Sequence, residues 1–369
     1  MVSIDGLPIV LDNGSYLIKA GYAGESNPRI LVPTVVAQSV NALGYTDWFV
    51  GEQSRSLRNR LPQYHPISRG VINSVDELSV IWCYLYSKEL RVKSSEHPLL
   101  LIETPQMLKE HRNSLVELAF EKFSVPALYC SSQAVLSLYS VGLTTGTVVD
   151  IGYERLSIIP VKETYTIESS TRQREIGGNT VTTSLKRLLI SNNPSVAQYI
   201  TMDVAQHFKE KLCYISPTPI TTMNPLFATN AAKFQAPNGQ VVTIGSERVI
   251  APELLFQPSK TGLDGFGLSQ LIHDAIQSTP TELHPYLYSN IVLSGGSTMF
   301  PGLSRRLEND LRKLAPPNTA IAVCPNEQRK YSVWIGGSIL ASLNTFSKIW
   351  ISKDEYEERG VDVVNEKCP

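Results

Sequence analysis

Two segments of the chain share one pattern, and that pattern limits the fold more than any other feature. "IVLDNGS" starts at Ile9 and "TVVDIGY" at Thr147; each is a β-branched apolar run ending in Asp, any residue, Gly, at Asp12–Gly14 and Asp150–Gly152. Glycine lets the backbone turn sharply. Each segment therefore reads as a strand entering a tight hairpin whose tip offers backbone N–H groups to an anion such as phosphate. A single Asp-x-Gly is only a hairpin turn. Two of them, with the Gly-Gly turn of "LSGGSTMFPG" (Leu293 to Gly302), suggest two similar α/β halves facing each other across a phosphate cleft.

The intervening sequence agrees with an α/β chain. "PLLLIET" and "SNIVLSGG" are further short apolar runs that stop at polar or turn residues. Helical spacing is clear from Val75 to Leu90 and from Lys109 to Phe123. Strands alternating with helices define the class. The loosest stretch, Ser216 to Gln240, is polar and Pro-rich and reads as a surface excursion. The 369 residues, 42% of them hydrophobic, suffice for two sizeable cores. A net charge of -1 gives no global electrostatic case for nucleic acid or a membrane surface. The five cysteines are scattered without C-x-x-C spacing, which argues for reduced thiols in an intracellular compartment and against a zinc site. "MVSIDGLPIV" has no basic stretch ahead of a long apolar one, so no secretory signal is read there. No apolar run approaches the ~20 residues that span a bilayer.

At this point the chain resembles a known family over nearly its whole length. "DNGS", "KAGYAG", "EHPLLLIETP", "QAVLSLYSVG", "TTGTVVDIG", "KEKLCY", "LFQPS", "LSGGSTMFPG" and "RKYSVWIGGSILASLNTFSKIWISKDEYEERG" stand in the order of the actin family. The resemblance implies an actin-like ATPase fold: two ribonuclease-H-like halves around a nucleotide cleft. The first half would comprise residues 1–140 plus 332–369, with a small subdomain at about 32–63; the second would comprise 141–331, with a small subdomain at about 177–264. Hinges would fall near Gln133 to Val141 and near Lys330.

The resemblance also implies ATP or ADP with magnesium. Asp12 and Asp150 would hold the metal through water, and Gln133 and Asp150 would order the attacking water. Mg²⁺ keeps several of its waters and takes few carboxylates, and an amide can orient a water without bearing charge. Gly14, Ser15, Lys19 and Gly152 would face the phosphates. Lys209, Glu210, Gly295, Gly296, Met299 and Lys330 would surround adenine and ribose, with Phe300 near the base.

Four departures point to impaired catalysis. Tyr16 stands where the family has glycine, Tyr153 and Glu154 replace an Asp-Gly pair, and Ser157 replaces a histidine that helps to order the lytic water. Glu154 would bring negative charge towards phosphate if it pointed inwards. Weak or absent nucleotide and little or no turnover are expected.

Two surfaces bear on the role. The family's long filament loop corresponds to Val36 to Gln53, which is shorter here and carries Trp48-Phe49. These aromatics are expected to pack inwards. A partner cleft that takes an amphipathic helix would be lined by Tyr139, Gly142, Leu143, Thr144, Ile335, Ile339, Leu340, Leu343 and Thr345, although the helical spacing of "IGGSILASL" would also serve an ordinary core. The resulting expectation is a nuclear scaffold subunit of an ATP-dependent chromatin remodeller. It would bind a helix of a larger subunit and a second actin or actin-related protein, with nucleic acid engaged only indirectly and no membrane. The alternatives are a dynactin-type or filament-end cytoskeletal protein in the cytoplasm and a filament-forming actin-like ATPase.

Overall fold

The computed structural model describes residues 6–220, 231–235, 239, 241–324 and 326–368. Part of the expected surface excursion, residues 221–230, 236–238 and 240, lies outside the described residues, as do the first five residues and Pro369. Two compact units are present: Met1–Thr144 with Glu163–Thr166 and Tyr331–Pro369, and Thr145–Lys162 with Ile167–Lys330.

The first unit is built on a six-stranded sheet ordered Ile351–Ser352, Ala127–Ser132, Leu99–Glu103, Ile9–Asn13, Leu17–Tyr22 and Ile30–Pro33. The Ile9–Asn13, Leu99–Glu103 and Ala127–Ser132 strands run parallel. Leu99–Glu103 is buried at every residue, as a strand covered on both faces must be, and so it reads as an unbroken apolar run. The Asp12 turn is a hairpin, with Asp12 opposite Lys19 and Asn13 opposite Ile18.

The Val75 and Lys109 segments are helical, but each changes pitch. Val75–Tyr84 is α-helical with Ser74 as its N-cap, whose hydroxyl accepts from Glu77 N–H at 3.2 Å; it continues as a π-helix over Leu85–Leu90. Lys109–Glu117 likewise passes into a π-helix at Leu118–Lys122. Leu118, Ala119 and Phe120 in this wider turn are all buried.

Residues Val36–Val40 and Thr46–Val50 form a short antiparallel ribbon. Val36, Ala37 and Val50 are buried, whereas Val40, Leu43, Tyr45 and Trp48 are exposed. The expected inward packing therefore fails for Trp48: only the base of a two-stranded ribbon meets the core, and Trp48 lies opposite Gln38 beyond that base.

In the second unit, Gly146–Ile151 pairs antiparallel with Leu156–Lys162 and parallel with Ile291–Ser294, which pairs in turn with Val323–Cys324. Helices Gly178–Asn192, Leu268–Gln277 and Leu303–Leu314 bury their apolar faces with this sheet in one core. Helix Met202–Leu212 starts at Thr201, whose hydroxyl accepts from Val204 N–H at 3.3 Å.

Candidate functional site

In the first unit the Asp12 hairpin is held by side chains. Lys19 Nζ pairs with Asp12 Oδ2 at 2.6 Å, both half-buried. The buried Trp82 donates its indole N–H to Asn13 Oδ1 at 3.1 Å. Ser15 Oγ accepts from Gly70 N–H at 3.0 Å, and Thr34 donates to the Gly14 carbonyl at 2.6 Å. A Cβ on Gly14 would lie 2.6 Å from the Leu17 carbonyl oxygen, so the turn closes only around glycine. The Tyr16 ring lies under the Arg55 guanidinium, 4.7 Å from its centroid. Tyr16 has an ordinary negative φ; the backbone strain that a side chain would suffer in place of a turn glycine is absent. Gln133 begins the helix Gln133–Tyr139, after the Ser132 cap.

In the second unit the corresponding turn is met by the start of helix Gly178–Asn192 and by the Ser297 hydroxyl. The Gly152 carbonyl accepts from Gly178 N–H at 3.0 Å and from the Ser297 hydroxyl at 2.9 Å. Asn179 N–H donates to the Tyr153 carbonyl at 2.7 Å. A Cβ on Gly177 would stand 2.6 Å from the Tyr153 oxygen and 2.8 Å from the Glu154 nitrogen. The third turn closes on the same place: Gly295, at φ +88°, has room for no side chain, because a Cβ there would meet Ile151 O at 2.5 Å and Asp150 Oδ1 at 3.0 Å. Gly296 lies beside the aliphatic chain of Lys330.

Lys209 is the charged centre of this bracket. It is buried, and its Nζ donates to the Gly178 carbonyl at 3.2 Å. Burial pulls its pKa down, against the opposing pull of Glu210 and Cys213. Glu210 is exposed one residue on and accepts from Gln206 at 3.0 Å. Burial pushes the neighbouring Cys213 thiol up to about 12, so it stays protonated.

The second unit thus brings Asp150, Gly152, Lys209, Gly295, Gly296 and Lys330 together, while Met299 is exposed. Phe300 is buried within the unit's apolar core. Ser157 is also buried, opposite Asp150 in the hairpin. Sequence reasoning missed Gly177, Gly178 and Ser297. The signal was available in "REIGGNT", a Gly-Gly pair at a helix start, where only glycine allows another backbone to approach this closely.

The nine residues of the expected partner groove all belong to the first unit. Helix Ser332–Ala341 packs on helix Gln133–Tyr139 so closely that a Cβ on Gly336 would sit 1.8 Å from the Leu136 carbonyl oxygen. Ile335 is buried in that contact and adds almost no surface. Ile339 and Leu343 are 41% and 50% exposed, a large apolar face one helical turn apart. Leu340, Tyr139 and Leu143 are half-buried, Thr144 and Thr345 exposed, and a Cβ on Gly142 would meet open space.

The sequence model of the family described as Actin matches residues 5–369, and the chain belongs to the actin family. The fold of that family typically binds a nucleotide with a divalent metal, and its members interact with actin and actin-related partners. Among the described residues, no group of three or more His, Cys, Asp or Glu is placed to hold a metal ion directly, and no helix is long and apolar enough to cross a membrane.

Proposed function

We propose that this actin-family chain is a scaffold subunit that grips a partner helix in a larger assembly, an ATP-dependent chromatin remodeller in the nucleus, and is not an effective ATPase. The observation that carries the reading is the apolar face Ile339–Leu343, exposed although it adjoins a tightly packed core. A soluble protein gains from covering such a face. Its half-buried flank of Tyr139, Leu143 and Leu340 suits anchors of an amphipathic helix at helical spacing. Burying the face is worth several kcal/mol at ~25 cal/mol per Å². Association costs consume part of this, so a second contact, with an actin or actin-related protein, is expected to help.

The residues present fit adenosine better than they fit a reacting phosphate. Lys209, Glu210, Gly295, Gly296, Met299 and Lys330 would hold base and ribose. Gly14, Ser15, Lys19 and Gly152 would face the phosphates, and Asp12 and Asp150 would hold magnesium through water. The metal, when bound, would neutralise phosphate charge. Gln133 and Asp150 would order water, but Ser157 is buried and aproned by the sheet instead of offering an imidazole. The short Val36–Val50 ribbon argues against the filament-forming alternative; the dynactin-type reading shares the groove and is separated from ours by the partner recovered.

The test is affinity purification from nuclear extract with the wild-type chain and with Leu343→Asp, whose exposed position protects the fold. Recovery of a remodelling ATPase subunit with an actin-like protein, lost in the variant, supports the proposal. Equal recovery by both, or assembly of the purified chain into filaments with ATP and magnesium, refutes it.

A further inference from the structure

A second cluster of reactive side chains lies in the first unit, apart from the groove and the hairpin. Cys130 is in the strand Ala127–Ser132, and Cys368 follows the helix Asp362–Lys367. Both are free and buried. Cys130 N–H donates to Cys368 Sγ at 3.3 Å, across 238 residues of chain, and the two thiols are themselves hydrogen-bonded. Glu103 is buried beside them, its charge acting on both thiols. Its carboxylate is gripped twice by Arg112, at 2.8 Å from Nε to Oε1 and again from Nη2 to Oε2. Arg112 Nη1 also donates to the Cys368 carbonyl at 3.1 Å. The thiols are thus held side by side by partners on three chain segments.

We propose that Cys130 and Cys368 form a reversible disulfide under peroxide, clamping the Asp362–Lys367 helix to the central sheet. The Cys368 thiolate attacks one peroxide oxygen, the O–O bond breaks, and hydroxide leaves as water after protonation. Cys368 becomes a sulfenic acid. Cys130 passes its proton to Glu103 as its sulfur displaces the sulfenic hydroxyl, which takes that proton and leaves as a second water. Two thiols lose two electrons in total, and hydrogen peroxide gains them.

The two sulfurs have different roles. The Cys130 hydrogen bonds hold Cys368 below the usual thiol range, so it supplies the thiolate that attacks. The same hydrogen bond and burial push Cys130 well up, so it waits as the resolving thiol. Glu103 raises both and Arg112 lowers both. Access comes through the covering helix, which has six residues and buries only Val363 and Val364. A helix that short has little stability of its own and opens locally at low cost.

The full chain, carrying Cys83→Ser to remove the exposed thiol, is treated with hydrogen peroxide, alkylated, and mapped by peptide mass spectrometry. The expected product is a linked Cys130–Cys368 peptide, lighter by about two mass units. Dithiothreitol should reverse it, and the oxidised protein should unfold on the order of 5 °C higher. In Cys368→Ser, Cys130 should stay reduced and alkylate only on denaturation. A sulfinate on Cys368 with Cys130 still reduced, or a link that forms only in denatured protein, would overturn the proposal.

Discussion

The two Asp-x-Gly hairpins look alike in sequence and meet different partners. At Asp12 the turn is fastened by side chains: the Lys19 ion pair, the Trp82 indole and the Thr34 hydroxyl. At Asp150 the Gly152 and Tyr153 carbonyls are bound by the start of helix Gly178–Asn192, with the Ser297 hydroxyl also on the Gly152 carbonyl. A motif therefore specifies the shape of a turn without specifying what holds it. The first hairpin should be damaged by deleting side chains, the second by adding them.

The largest effect is expected where a side chain is added. Gly177→Ala places a Cβ against backbone of another segment at 2.6–2.8 Å, and such overpacking against atoms that cannot swing away costs about 2–4 kcal/mol. Chemical denaturation measures it. A loss under 1 kcal/mol would mean that the second hairpin is looser than described.

Trp82→Phe is the matching break in the first hairpin. It leaves Asn13 Oδ1 buried without its donor, in a side chain whose Nδ2 already has no hydrogen-bond partner. Lost packing and the unsatisfied oxygen together should cost about 2 kcal/mol. If Trp82→Phe is neutral, side-chain fastening is not what holds the Asp12 turn.

Lys209→Met tests the charged centre. Nucleotide affinity, measured by calorimetry, should fall about tenfold, or about 1.4 kcal/mol. Stability carries a second signature. Folded Lys209 gives up its proton at a lower pH than it does in the unfolded chain. Between those two values the unfolded state binds more protons, so stability should rise with pH there. The rise should be missing from Lys209→Met; the same slope in both proteins would assign it to another group.

The smallest effect belongs to Ser297→Ala, at about 1 kcal/mol. The Gly152 carbonyl keeps its bond from Gly178 N–H when the hydroxyl goes. A loss as large as that of Gly177→Ala would show the hydroxyl, and not the backbone, to be the main fastener.

The sequence was most legible where one local rule decides the structure. Apolar runs ending in Asp-x-Gly gave both hairpins, and the length of the matching blocks gave the family. It was least legible where partners are far apart in the chain. Nothing local to "LYCSS" announces that Cys130 meets Cys368, since their contact follows from the whole sheet order. Trp48 was misplaced for a related reason: the sequence does not show how far along a short ribbon the core reaches, and only the packing around the residue decides. The tips of both helices that change pitch were read as continuous because a π-turn keeps the same composition as the α-helix before it.

The glycine contact between helices Ser332–Ala341 and Gln133–Tyr139 has a consequence for how such a protein can diverge. On one side of the first helix, Gly336 and Gly337 admit no added atom without a collision, at 1.8 Å from Leu136 O and 2.9 Å from a Val10 methyl. Ser338 is as constrained, accepting from Gly24 N–H at 2.9 Å while donating to the Glu25 carbonyl at 2.7 Å. One residue further, Ile339 faces outwards. Mutation can therefore rewrite the outer letters freely while the inner ones stay fixed. A single helix thus separates variation of its exposed face from variation in folding, so changes can accumulate on that face without first eroding the scaffold that displays it.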